Sequence, residues 1–168
     1  MMTENEQIRL LKERRSIRRY DSRPIEDAIL TQIFEVTRWC WSAVNRQPWK
    51  FYVIRNKELI SKVAKECTTG TFAAEAPVLV ALVGDADAQP NWYLHDMCFV
   101  SLQMALAAWT FGVGTCFIGN INREKVKELL DLKKTDYLLT VLPLGYPYGR
   151  IPEPRPRKSL EEIVKYID

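Results

Sequence analysis

Apolar positions recur with a helical period in several segments of the chain. Ile8, Leu10 and Leu11 follow Thr3 and Glu6, whose spacing predicts a capping box opening a helix through about Arg14. After Pro24, Ile29, Ile33 and Val36 predict a second helix from about Glu26 to Trp39. Asn56 predicts the cap of a helix reaching Cys67, and Asn122 the cap of a shorter one to about Leu132. The segment from Asn91 to Phe111 is apolar nearly all round and is expected to be a long buried helix.

Strand patterns fall between these helices. Lys50 to Arg55 and Tyr137 to Leu144 read as strands, and Thr115 to Gly119 as a short one. Val78 to Val83 is apolar at every position, the pattern of a central strand covered on both faces. Proline and glycine dominate from Gly145 to Lys158, which predicts an extended surface arm. Beyond it, Ser159 and Glu162 suit a helix cap, while Ile163-Val164-Lys165-Tyr166-Ile167 suits a strand equally well. The order predicts a single α+β domain over residues 1–168, a mixed sheet packed between helices.

Composition narrows the class. The 168 residues are 47% apolar and 27% charged, as in ordinary soluble domains with a full core. A net charge of +3 is too small for a dedicated nucleic-acid binder, so no nucleic-acid partner is expected. The N-terminus lacks an apolar signal core, and no apolar run is long enough for a membrane span, so a cytoplasmic protein is expected. Cys40, Cys67, Cys98 and Cys116 form no C-x-x-C pair and read as buried free thiols. His95 is the single histidine, which leaves little material for a zinc site or a Ser-His-Asp triad; no metal is expected.

Three segments carry candidate chemistry. Arg14, Arg15, Arg18 and Arg19 surround Ser16, and Arg155-Pro156-Arg157-Lys158 forms a second basic cluster. Guanidinium groups grip phosphate oxygens in a bidentate manner, although basic residues at a helix end are also simply favoured by the helix dipole. Ser42, Asn45 and Gln47 offer groups able to read the edge of a heterocycle, with Trp41 and Trp49 able to cover its faces or to anchor a buried turn. Gly112-Val113-Gly114-Thr115-Cys116-Phe117-Ile118-Gly119-Asn120 permits close backbone approach to a ligand. It has neither the G-x-G-x-x-G spacing of a dinucleotide fingerprint nor a P-loop's G-K-[ST].

In this order and spacing, R-R-S-I-R-R-Y, S-A-V-N-R-Q-P-W-K-F, A-P-V-L-V, G-V-G-T-C-F-I-G and P-R-K-S-L-E-E-I-V resemble the nitroreductase family. The resemblance covers most of the chain. It implies a mainly antiparallel sheet flanked by helices in an interlocked homodimer with FMN at the subunit interface. It places Arg14, Arg15, Ser16 and Arg18 at the phosphate and ribityl end of FMN, joined by Arg155 and Arg157. It draws Trp41, Ser42, Ala43 and Asn45 from the partner subunit, sets Gly119 and Asn120 near flavin N5 and O4, and lays Phe117 against the ring. The arm of residues 145–168 would lie on the partner, which favours the strand reading of its end.

The implied activity is hydride transfer from NAD(P)H through flavin N5 to a nitroaromatic, quinone or similar acceptor, in a ping-pong scheme. The flavin carries the chemistry, so no catalytic side chain is required. The same resemblance admits a flavin protein with another role, dehalogenase-like, flavin-consuming or flavin-storing. Thr69 and Phe72 stand where many members carry asparagine and lysine, and Trp41 where a proline or small residue is common. Only a short loop, Asp85 to Pro90, precedes the long helix, leaving Trp41, Trp92 and Tyr93 as either core residues or covers of the flavin face.

Overall fold

A computed structural model describes residues 5–167. Its sheet has four antiparallel strands, β1 (Trp49–Ile54), β2 (Val78–Gly84), β3 (Gly114–Thr115) and β4 (Tyr137–Gly145), in the order β1-β2-β4-β3. The expected mixed sheet thus reduces to an antiparallel one. Its parallel component is a bridge between Ser16 and Thr115, outside the named strands.

Among the described residues six α-helices accompany the sheet: α1 (Glu6–Glu13), α2 (Asp27–Thr37), α3 (Lys57–Lys65), α4 (Tyr93–Thr110), α5 (Arg123–Leu129) and α6 (Leu160–Ile163). Thr3 lies outside the described residues. Asn5 caps α1, its side chain accepting from the Ile8 N–H at 2.8 Å. Asn56 and Asn122 cap α3 and α5 as their positions predict, satisfying the Leu59 and Lys125 amides.

All of β2 is buried, and its alternation divides the core in two. Leu79, Ala81 and Val83 face a layer made by Ile60 and Val63 of α3, Val126 of α5 and Ala73 of a short turn. Val78, Val80 and Leu82 face Leu30 and Ile33 of α2 and Met97, Val100 and Met104 of α4. Each buried Val, Leu, Ile or Met side chain here stabilises the fold by roughly 1.5–3 kcal/mol relative to exposure. The register pairs Val80 with Leu142 and Ala81 with Val141, and a bulge interrupts it between Leu82 and Val83.

Helix α4 departs from its expected burial. Met97, Val100, Ser101, Met104, Ala107 and Ala108 follow helical spacing into the core, whereas Cys98, Phe99 and Leu102 face outward. Two apolar stripes on one helix erase the period by which sequence distinguishes inside from outside. Trp41 and Trp92 are also exposed rather than core, while Tyr93 packs edge-on against Tyr137. The thiols are all free, but Cys98 is exposed and Cys40 only half-buried, correcting the expectation that all four are buried. Burial pushes the Cys67 thiol up to about 11. Among the described residues no helix is long and apolar enough to cross a membrane.

From Tyr148 to Ile167 every residue is exposed, so the arm runs along the surface of the domain. Glu162 accepts from the Ser159 N–H at 2.9 Å and closes a capping box, which places Ile163 in α6 rather than at the start of a strand. The chain turns extended at Val164.

Candidate functional site

Helix α1 ends at Glu13, and the chain continues as an extended ribbon along β3. The Ile17 N–H donates to the Thr115 carbonyl at 2.9 Å, and Ile17 and Tyr20 bury inward. The Tyr20 hydroxyl donates back to the Ile17 carbonyl at 2.5 Å. Docking of Ile17 turns its neighbours Ser16 and Arg18 toward the surface, next to the half-buried Arg14 and Arg15.

The start of the arm returns to this ribbon. Arg14, Arg15, Ser16 and Arg18 line one cleft of about 330 Å³ with Pro152, Glu153, Arg155 and Arg157. The two basic clusters, from opposite ends of the chain, therefore meet. Five guanidinium groups face one carboxylate, and Glu153 is already engaged by Arg150. Among the described residues, none of Arg14, Arg15, Arg18, Arg155 and Arg157 forms an ion pair with a carboxylate. Arg15 donates through Nη1 to the carbonyls of Lys12 (2.6 Å) and Arg14 (2.9 Å), and its Nε is buried without a partner. Such a concentration of like charge and unfulfilled donors is suited to a multivalent anion.

A second cavity of about 280 Å³ shares Arg14 and Ser16 with the cleft and continues over Leu102, Cys116, Phe117 and Leu142. The pair of cavities runs from cationic to apolar, the profile of a ligand with an anionic head and a flat apolar body. Burial pushes the Cys116 thiol above its ordinary value against the opposing pull of Arg18, a hydrogen bond with Ser16, and Arg14. The Arg18 guanidinium lies over the Phe72 ring, 6.0 Å from its centroid.

Phe117 leads to Gly119 and Asn120, whose amides donate to no protein acceptor among the described residues. A Cβ at Gly119 would meet nothing within 4 Å, so the backbone there is open to approach. Two residues absent from the sequence-based site hold this segment from behind. Thr140 Oγ1 donates to the Ile118 carbonyl at 2.8 Å. Arg123 donates to the carbonyls of Leu138 (2.9 Å), Leu139 (3.1 Å) and Gly119 (3.4 Å). The available signals were weak: a lone threonine in an aliphatic strand and an arginine after a helix cap.

Trp41, Ser42, Ala43 and Asn45 line neither of these cavities in the single chain. Trp41 instead meets Phe99 edge-on, with centroids 6.0 Å apart, over a third cavity of about 310 Å³ bordered by the outer face of α4. Val44, Asn45 and Gln47 have φ of 52°, 55° and 49°, a costly conformation for a β-branched residue such as Val44, which is 85% exposed. Asp96, a further residue missed in the sequence, restrains this loop: its buried carboxylate accepts from the Ala43 N–H at 3.1 and 3.3 Å. The Ser42 hydroxyl accepts from the Gln47 N–H at 2.9 Å. Asp96→Ala is expected to lower stability by about 1–3 kcal/mol and to speed hydrogen exchange of the Ala43 and Gln47 amides. Unchanged exchange at both amides would show that Asp96 does not restrain the loop.

With this geometry in place, comparison with known proteins decides the family. A family model described as the nitroreductase family matches residues 11–70 and 65–146. The chain belongs to the nitroreductase family. The matched regions contain the arginine ribbon, the Trp41 loop and the glycine segment. The chain is 32% identical over 149 residues to an Archaeoglobus fulgidus protein provisionally named NADH dehydrogenase/NAD(P)H nitroreductase, covering 83% of this chain and 84% of the relative. It is 28% identical over 181 residues to the FMN reductase [NAD(P)H] of Bacillus subtilis, covering 95% and 72%. Among solved structures, a nitroreductase family protein from Streptococcus pneumoniae TIGR4 superposes with a TM-score of 0.87 at 21% identity, covering 96% of this chain and all of that one, a likeness of fold.

Proposed function

We propose that this nitroreductase-family chain is an FMN-dependent oxidoreductase that uses NAD(P)H. The observation that carries this reading is the arginine cleft adjoining, at Arg14 and Ser16, an apolar cavity walled by Phe117. The names of the relatives, an NAD(P)H nitroreductase and an FMN reductase, support it. The residues fit the cofactor: the unpaired Arg15 Nε and the surplus of guanidinium groups suit a phosphate carrying nearly two negative charges.

Bound FMN would supply the redox chemistry, taking hydride from NAD(P)H and passing it to a nitroaromatic, quinone or similar acceptor in two half-reactions. Arg14, Arg15, Ser16 and Arg18, with Arg155 and Arg157 from the arm, hold the phosphate. Leu102 and Phe117 exclude water from one wall of the ring site. The free amides of Gly119 and Asn120 donate toward the ring edge, where they favour added negative charge, and Arg123 and Thr140 keep them in place.

Trp41, Ser42, Ala43 and Asn45 complete the site from a second copy of the chain. Trp41, Phe99 and Leu102 form an apolar surface suited to that homodimer, with Phe99 42% and Leu102 55% exposed. The arm of residues 145–168 extends onto the partner.

The purified protein is expected to be yellow, or to become so with added FMN, and to bleach anaerobically with NADH or NADPH. Reoxidation by a nitroaromatic or quinone would complete the cycle. A protein that stays colourless with FMN sinks the reading, and tight flavin binding without turnover makes it a flavin carrier instead.

A further inference from the structure

A cavity of about 710 Å³, more than twice the volume of the arginine cleft, takes no part in the proposed redox chemistry. It shares no lining residue with the cleft or with the cavity at Phe117. Three junctions of the chain border it: the approach to α2, the passage from β1 into α3, and the passage from the turn Thr71–Glu75 into β2. Buried Ile25, Ile60, Ala76 and Val78 form its apolar wall. Ile60 and Ala76 belong to one core layer and Ile25 and Val78 to the other, so the packed core fixes this wall.

Four charged groups stand around it. Arg55 is held by Asp27 at 2.7 Å, and that pair satisfies itself. Lys57 and Glu75 line the same cavity, yet neither forms an ion pair among the described residues. Helix α3 begins at Lys57, and α2 begins at Asp27 with no side-chain cap, so two positive helix ends add to the lysine ammonium. Glu75 belongs to a different element, the turn before β2. A ligand of one charge would leave either Lys57 or Glu75 unanswered. A ligand carrying both charges on an apolar body answers each and covers the wall. The volume lies in the range of small-molecule sites, roughly 300–1,000 Å³.

We propose that this cavity is a second ligand site, for a small apolar zwitterion of amino-acid or short-peptide chemistry. Lys57 and the first-turn amides of α2 and α3 take the carboxylate, Glu75 takes the ammonium, and the apolar side chain lies on Ile25, Ile60 and Val78. The site does not rest on the flavin reading, because no residue is common to the two.

The test is a titration of the full ¹⁵N-labelled chain, loaded with FMN, followed by amide chemical shifts. The probes are leucine, dileucine and two single-charge analogues, 4-methylpentanoate and 3-methylbutylamine. One of the two zwitterions is expected to give saturable shifts at the Ile25, Lys57, Ala76 and Val78 amides, with Kd of about 1 mM or tighter. Preference for leucine would assign a free amino acid, and preference for dileucine a peptide; either supports the site. Each single-charge analogue is expected to bind about tenfold more weakly. Lys57→Ala and Glu75→Gln are each expected to weaken the zwitterion by about tenfold with unchanged flavin content. Both side chains are exposed, so the fold is expected to survive either change. Shifts that do not saturate by about 10 mM, equal affinity for the single-charge analogues, or undiminished binding in both variants overturns the site. Loss of flavin together with the zwitterion would mark a general disturbance and also overturn it. Shifts at the same amides that follow protein concentration without added ligand would assign the cavity to a second copy of the chain and overturn the small-molecule site.

Discussion

Replacing Arg14 and Arg18 together with alanine is expected to weaken FMN binding by a hundredfold or more. A hydrogen bond to a charged group contributes about 1.5–3 kcal/mol, and each about 1.4 kcal/mol is tenfold in affinity. Loss of two such groups therefore corresponds to roughly 3–6 kcal/mol. Fluorescence titration and the flavin content of the purified variant both read the effect. Neither arginine has a carboxylate partner to orphan among the described residues, so the fold is expected to survive the substitution. Lysine at the same positions keeps the charge but loses the planar fork, and is expected to recover part of the affinity. An unchanged flavin content in the double alanine variant would place the phosphate elsewhere.

Gly114→Ala is expected to damage both the fold and the site. A Cβ at Gly114 would stand 2.7 Å from the Ile17 Cβ, and backbone pairing fixes both residues: Ile17 to Thr115, and Gly114 opposite Gly145. Ile17 can yield only by lifting the ribbon from β3. Overpacking of this kind costs about 1–3 kcal/mol, which for a domain of this size is a fall in Tm of roughly 2–12 °C. Because Ser16 and Arg18 flank Ile17, FMN affinity is expected to fall with the melting temperature. A surface variant of equal Tm, with the ribbon intact, should retain the flavin. Normal Tm and normal FMN affinity in Gly114→Ala would show that the ribbon does not depend on close packing against β3.

These two expectations draw on different levels of information. The arginines were visible in the sequence as a cluster, and their type already suggested a phosphate. Gly114 was visible only as part of a glycine-rich segment; its closeness to Ile17 is a long-range contact. Asp96, Arg123 and Thr140 were not visible as site residues at all. Each acts on backbone distant in sequence, Asp96 on Ala43 and Thr140 on Ile118, and no local pattern records such pairs.

Local physics explains what could be read directly. Asn56 and Asn122 cap helices because a side-chain oxygen satisfies an amide three residues away. The continuous aliphatic run of β2 indicates a strand covered on both faces. The capping box at Ser159 and Glu162 is likewise local, and it won over strand propensity at Ile163. In α4 the same reasoning failed, because Phe99 and Leu102 are as apolar as Met97 and Val100.

The sequence by itself therefore determined the element types, the central strand, the family resemblance and the residue chemistry of the candidate site. Those properties depend on neighbours within a few residues or on the order of motifs. Only the tertiary structure decided that Arg155 and Arg157 reach Arg14 and Arg18, that Arg19 leaves their cleft to lie on Tyr148, and that the Trp41 loop stays apart from the cleft within one chain. The reason is physical: these meetings depend on strand register and on closure of the chain from Gly145 back to the ribbon, which join segments with no local bond between them.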